Sequence, residues 1–434
     1  MEKYFKLKEN GTTISTEIMA GITTFMTMAY ILIVNPDLLS QAGMNQEGVF
    51  VATAISSAIA TIIMGLFAKY PFALAPGMGL NAYFTYSVVM KFGFSWQEAL
   101  FIILIEGIIF MLLSFVKIRE IIFTSIPTDL KAAISVGIGL FIALIGFKNS
   151  GIVVPNEATI MSLGKISNNS TLLAIIGILI TAILVARNVK GAILIGIVLT
   201  TIIGIPMGVT IIPEGFSPLS IPHGISEVAF KVQTPKNLFD PNLLIAIFTF
   251  LFVDMFDTVG TLAGVATKSD MLDENGSLPR VERALFSDAV GTTIGALLGT
   301  STVTTFVESS AGVAAGGRTG LTSLITGLLF LLSIVLSPLF LLVPAAATAP
   351  ALVIVGIFMA QTVKKIDWDN FTIAIPAFIT IIAIPFTYSI AEGIVFGIIS
   401  YTVVNIFAGN AKKIPILVYV LAIIFVLRYI FLPL

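Results

Sequence analysis

The 434-residue sequence contains no cysteine and a single histidine. Disulfides, thiol nucleophiles and cysteine-based metal sites are therefore excluded. The histidine, His223, lies in the proline-rich stretch SPLSIPHGISE, and one imidazole cannot build a multi-histidine metal centre. Charge is scarce too: Asp, Glu, Lys and Arg make up 11% of residues, against roughly 25% in a soluble domain. With a net charge of −1, nothing suggests nucleic acid as a partner. The N-terminal MEKYFKLKENGTT lacks the apolar centre of a signal peptide. No motif calls for a metal or an organic cofactor.

What the chain has is apolar sequence: 57% hydrophobic residues and a mean hydropathy of +1.04. Apolar runs of about 20 residues recur, long enough to cross a hydrocarbon core of roughly 30 Å. The alternation of a β-barrel is absent. The expectation is an all-α polytopic protein of the lipid bilayer. Fourteen segments are read at 14–34, 47–68, 76–90, 97–117, 128–147, 170–187 and 190–210, then 241–266, 281–299, 304–317, 319–340, 345–363, 370–386 and 389–409. A Pro- and Ser-rich loop, 211–240, divides them seven and seven, and an apolar stretch, 414–432, follows, either crossing the bilayer or lying in its interface. With the N-terminus inside, sixteen Lys and Arg fall in inner loops and five (Lys91, Lys148, Lys165, Lys231 and Lys236) in outer ones. That bias places the N-terminus and Lys412 in the cytoplasm of a multi-pass cell-membrane protein.

The halves resemble each other. PTDLKAAISVGIGLFIA (127–143) aligns with PAAATAPALVIVGIFMA (344–360), matching Pro127 with Pro344 and Gly139 with Gly356. Seven crossings per copy invert the second copy, and inverted repeats with a midplane site are a transporter architecture.

Segments 3 and 10 break the helical pattern. YPFALAPGMGLNAYFTYSVVM (70–90) places Pro71, Pro76, Gly77 and Gly79 before a short helix opening near Leu80. GTSTVTTFVESSAGVAAGGRTG (299–320) is β-branched, then small. Each reads as a short strand followed by a half-helix. Extended backbone at membrane depth must be buried in protein or line a cavity, and paired broken segments point to a transporter's site.

Carboxylates inside the membrane are costly, roughly 3 kcal/mol on insertion scales, and so are functional candidates. Those singled out are Glu17, Glu106, Asp254, Asp257, Glu308 and Glu392. Glu17 and Glu392 read as helix-end charges, and Glu106, in FIILIEGIIF, as a packing or gating residue. Asp254 and Asp257 lie three apart in FLFVDMFDTVGTLAG (250–264) and share a helix face with Thr258 and Thr261. Gly260 and Gly264 leave room for another element. Glu308 stands at the opening of a half-helix, where the dipole favours negative charge. Two acids sharing one site cannot both ionise cheaply, which couples a proton to a neutral substrate. Asp257, Glu308 and Asp254 are the candidate proton carriers.

ITTFMTMAYILIVNP, ALAPGMGLNAYFTY, FVDMFDTVGTLAG and VTTFVESSAGVAAGGRTGLTSL resemble the AzgA-like purine permeases of the nucleobase–cation symporter-2 family, over about residues 10 to 410. The resemblance implies a core domain (1–120 and 241–340), a gate domain (121–210 and 341–434), a purine bound between them near the strands, and a homodimer. Related uracil transporters carry a glutamate in segment 8 with a histidine four residues on, and here Asp257 and Thr261 occupy those positions. The histidine's proton role is therefore absent or moved to an acid such as Asp254. The family's segment-10 glutamate falls on Glu308, and the purine branch's segment-3 asparagine on Asn81. The chemistry agrees: a carboxylate accepts two N–H groups side by side, and a carboxamide both donates and accepts, as purine edges require. Phe25, Tyr30, Tyr83 and Phe306 are candidates for stacking.

The expected function is proton-coupled import of hypoxanthine, guanine or adenine. An anion transporter of the same architecture is the alternative, opposed by acids at the site. An intramembrane hydrolase is a further alternative, but two aspartates on one helix face cannot flank a scissile bond.

Overall fold

A computed structural model describes residues 2–114, 126–268, 271 and 278–431. The expected inner loop with Lys117 and Arg119 lies outside them, as do the surroundings of Gly264. Among the described residues, nine helices are long and apolar enough to cross a membrane, and three shorter apolar helices accompany them.

The first segment runs beyond the expected residue 34. Helix α1 (Ile14–Met28), capped by the Thr13 side chain, gives way to α2 (Ile31–Ser40), with Tyr30 at the joint. Helix α3 spans Gln46–Ile63. Segment 3 is then strand β1 (Leu74–Pro76) and helix α4 (Met78–Ala82), which opens two residues before the expected Leu80. After it come α5 (Trp96–Leu113), α6 (Thr128–Asn149), α7 (Asn169–Ala186) and α8 (Ala192–Gly204). Between α6 and α7 lies an unexpected hairpin, β2 (Val153–Asn156) with β3 (Ile160–Leu163). Its strands are four residues long and one carries Pro155, which argues against a strand in sequence.

The second half begins with α9 (Pro241–Lys268) and α10 (Val281–Leu298). Segment 10 is strand β4 (Val303–Thr305) and helix α11 (Ser309–Ala314). Then follow α12 (Gly320–Ser333), α13 (Ala345–Ala360), α14 (Phe371–Thr387), α15 (Ile390–Phe407) and α16 (Ile416–Phe431). The last helix is held to α15 by a hydrogen bond from the Tyr429 hydroxyl to the Glu392 carboxylate and by stacking of Tyr429 on Phe396.

The helices pack as two groups. In one, α1 and α3 lie on α12, α3 and α5 on α10, and α9 on α5. In the other, α6 lies on α13 and α14, α7 on α8 and α13, and α14 on α15. The groups bond across one end, where Thr348 Oγ1 donates to Asp37 Oδ2 at 2.9 Å. Nearby, Ser87 Oγ donates to the Tyr388 carbonyl at 3.0 Å and Asn149 Nδ2 to the Tyr86 hydroxyl at 3.1 Å.

Equivalent parts of the two halves meet. Gly139 of α6 and Gly356 of α13, aligned in the sequence repeat, face each other. A Cβ on Gly139 would lie 2.6 Å from the Gly356 carbonyl oxygen, and one on Gly356 would lie 2.5 Å from that of Gly139. Strands β1 and β4, also equivalent, pair antiparallel, with Leu74 opposite Thr305, Ala75 opposite Thr304 and Pro76 opposite Val303. Self-meeting positions and an antiparallel pair of like strands are what an approximate two-fold axis requires.

Candidate functional site

The site is built on the β1–β4 ribbon. Two strands of three residues leave backbone groups on both outer edges, and no water is at hand in a membrane to satisfy them. Threonines from the preceding helices do so. Thr61 Oγ1 of α3 accepts from Leu74 N (2.9 Å) and donates to the Leu74 carbonyl (3.1 Å). Thr292 Oγ1 of α10 does the same for Val303, at 3.2 and 2.9 Å. Gly77 N to the Thr302 carbonyl and Phe306 N to the Ala73 carbonyl extend the ladder at each end.

A second layer ties the ribbon to α9. Asp288, fully buried on α10, accepts from Thr258 (3.0 Å) and Thr305 (3.1 Å), and Thr258 bonds Thr304 at 2.8 Å. Asp288 is absent from the carboxylates singled out by sequence. It lies two turns into a helix that opens with Glu282 and Arg283, so it reads as part of a charged helix end. The mid-helix threonines would have been its only signal.

This frame orients the expected residues. Asp257, next to Thr258 on α9, is partly exposed. Its Oδ2 lies 3.8 Å from the Cβ position of Gly77, the residue that joins β1 to α4. That site must also stay bare of a side chain, because a Cβ on Gly77 would stand 2.7 Å from Thr304 Cγ2. Glu308 immediately precedes α11 and is likewise partly exposed. Its Oε1 accepts from the Tyr30 hydroxyl at 2.9 Å. Helix α11 has only six residues, so its dipole is small, and the hydroxyl is the specific contact that aims the carboxylate. Asp257 interacts electrostatically with Glu308, and Tyr30 with both, so the three groups converge. Thr261, half-buried, lies one turn beyond Asp257.

Asp254 separates from Asp257. It is fully buried, on the side of α9 that carries Thr258. Asn81 is also fully buried; its Oδ1 accepts from the Ser301 hydroxyl, and its Nδ2 reaches the Pro76 carbonyl at 3.4 Å. Thus Asn81 bonds the two broken segments together. Among the described residues, nothing lies within 4 Å of the Cβ position of Gly260, so none of them makes the expected close approach there. Among the aromatics, Tyr30 and Phe306 stand beside Glu308 with ring centres 6.5 Å apart. Phe25 packs on Phe330 and Tyr83 on Phe250, edge to face.

The other acids have placements of their own. Glu17 accepts from the backbone of Arg318, Thr319 and Thr322 and from the Thr322 hydroxyl, capping α12 from a distant helix. Glu106 is fully buried on α5, beside the close crossing of Gly107 with Thr293. His223 stays in the loop, its backbone N–H bonded to Glu47. Among the described residues no cluster of three metal-ligating side chains exists.

Comparisons with known proteins bear on the family and the fold. The model of the permease family Xan_ur_permease matches residues 15–396. The guanine/hypoxanthine permease PbuG of Bacillus subtilis is 45% identical, over 100% of both chains. The adenine permease AdeP of Escherichia coli is 43% identical, over 99% of this chain and 96% of its own. The transmembrane domain of the cyanobacterial bicarbonate transporter BicA superposes with a TM-score of 0.65 at 17% identity, covering 87% of this chain and 97% of that one. The murine anion transporter Slc26a9 in an inward-facing state gives 0.64 at 13%, covering 91% and 69%. These solved structures show the fold, a seven-plus-seven inverted repeat.

Proposed function

The chain belongs to that permease family, a multi-pass membrane transporter and not an enzyme, and from this premise we propose that it imports purine nucleobases across the cell membrane with a proton. The observation that carries the proposal is the convergence of Asp257, Glu308 and Tyr30 where the two broken segments meet α9. Hypoxanthine, guanine and adenine are flat and neutral, with N–H donors on their edges. Asp257 and Glu308 accept those donors, and a carboxylate does so bidentately. Phe306 and Tyr30 supply ring faces, and Thr261 borders the acid pair. Asn81 and Asp254, both buried, hold the walls: Asn81 by bonding segment 3 to segment 10, Asp254 from within α9.

Protonation of one of the two partly exposed acids removes a charge that the partner acid opposes, so a proton accompanies the neutral base. The first helix group is the core (1–120 and 241–340) and the second the gate (121–210 and 341–434). Their relative movement gives alternating access. The names of the relatives, adenine and guanine/hypoxanthine permeases, support the substrate class. The anion-transporter alternative has the fold in its favour, but two carboxylates at the crossing repel an anion.

Uptake of labelled hypoxanthine, guanine, adenine and uracil into proteoliposomes, with and without a pH gradient, tests the reading. Purine uptake is expected to rise with an inward proton gradient. Asp257→Asn and Glu308→Gln are each expected to lower uptake by about 100-fold, as loss of a charge-assisted bidentate contact does, while insertion is retained. Normal uptake by both variants would falsify the assignment of the acids. Absence of uptake and of binding for every base would overturn the substrate class.

A further inference from the structure

A cavity of about 700 Å³ opens at one end of the bundle, away from the acid pair. Among the described residues, its lining holds four cations, Lys6, Lys69, Arg280 and Arg318, against one carboxylate, Glu9. The cations come from four places remote in sequence: the N-terminus, the turn after α3, the start of α10 and the start of α12. By the Lys and Arg bias this is the cytoplasmic end, so the side assigned to the site rests on the orientation proposed above.

The cations are held, not merely present. Lys6, Lys69 and Arg280 have φ of 54°, 62° and 57°, the left-handed region that L-residues with side chains rarely adopt. Among the described residues only four other non-glycine positions do so. Such conformations persist where surrounding structure enforces them, and they gather at ligand clamps. The head groups are fixed as well. Lys69 Nζ sits 4.6 Å from the centre of the Tyr4 ring. The Arg280 guanidinium sits 4.8 Å from that of Tyr70, which itself stacks on Phe72. Arg318 Nη1 donates to the Val313 and Gly317 carbonyls. Lys6 pairs with Glu9 at 2.8 Å. Among the described residues, no carboxylate lies within 4 Å of the charged groups of Lys69, Arg280 or Arg318.

We propose that this cavity binds a phosphate-bearing anion. Cations that reach one space from different walls suit a tetrahedral group with several charged oxygens, and a guanidinium adds paired donors. The phosphate arrives either on a soluble ester, such as a nucleoside monophosphate, or on the headgroup of an anionic lipid.

The test uses the full chain in phosphatidylcholine nanodiscs, where both faces are open to solution. Labelled guanosine monophosphate, competed with inorganic phosphate, probes the soluble source. Nanodiscs doped with phosphatidylglycerol, read by the lipid retained in native mass spectrometry, probe the other. Saturable binding of at least one probe is expected, weakened about tenfold by Lys69→Gln and by Arg280→Gln and reduced by raised salt. Arg280→Lys, which keeps the charge, is expected to retain most of it. Hypoxanthine binding to the same samples is expected to be unchanged, which shows that the variants are folded. The proposal is overturned if wild-type protein binds neither probe saturably, or if both neutral variants bind as wild type does. Failure of hypoxanthine to bind wild-type protein bears on the transport reading alone, since the anion probes are read separately.

Discussion

At the scale of single residues, the division of labour within FVDMFDTVGTL is the main finding. The sequence shows two aspartates on one face of a helix, and the structure turns that face into two. Asp257 meets an accessible edge and Asp254 is enclosed with Thr258. A separation of three residues rotates a side chain by about 60°, enough to move it from a lining to a core position. Tyr30 gained a role that its residue type alone does not announce, since a tyrosine in an apolar run reads as packing. Tyr30→Phe keeps the ring and removes the donor to Glu308 Oε1. A hydrogen bond to a charged group contributes about 1.5–3 kcal/mol, part of which reaches the base through the aim of the carboxylate. About tenfold weaker hypoxanthine binding by calorimetry is the expected outcome, and an unchanged affinity would show that Glu308 is aimed by other contacts.

At the scale of elements, the broken segments were legible and their supports were not. Pro71, Pro76, Gly77 and the β-branched run at 302–305 announce extended backbone, because they disfavour helix whatever surrounds them. Nothing local says that Thr61 and Thr292 will face the strand edges, since a mid-helix threonine ordinarily bonds its own helix four residues back. Asp288 escaped for a related reason, since its partners Thr258 and Thr305 are remote in sequence, whereas the β2–β3 hairpin escaped because its strands are short and one carries Pro155. Thr292→Val keeps the shape but strands the Val303 N–H and carbonyl, both buried. A loss of about 1–3 kcal/mol is expected for each group left without a partner, seen as a lower unfolding midpoint. Base binding should weaken with it, since β4 leads directly into Glu308. Loss of stability with base affinity intact would mean that the ribbon adapts without this hydroxyl.

At the scale of the whole molecule, the repeat visible as matched residues at 127–143 and 344–360 becomes geometry at Gly139 and Gly356, where the two copies touch. The division into core and gate is proposed from resemblance, and the two packing groups of helices are the observation that supports it. Contacts between the groups at Asp37–Thr348, Ser87–Tyr388 and Tyr86–Asn149 lie at the end that carries Lys91 and Lys148, which the charge bias places outside. In the proposed transport cycle, separation there lets a base enter from that side. The absence of native cysteine makes the test clean: Asp37→Cys with Thr348→Cys, joined by a short thiol cross-linker, is expected to stop uptake until the link is cleaved. Hypoxanthine binding in open nanodiscs should persist. Uptake by the linked protein would rule out movement at this contact. The ribbon carries one more consequence, for how the chain is assembled. Each half contributes a single strand that cannot pair with itself, so neither half can complete its own backbone hydrogen bonding. Fragments separated within 211–240 are expected to accumulate only when co-expressed, and to be degraded when made alone. The unit of folding is thus the duplex of repeats, as if two antiparallel subunits had been spliced into one gene product.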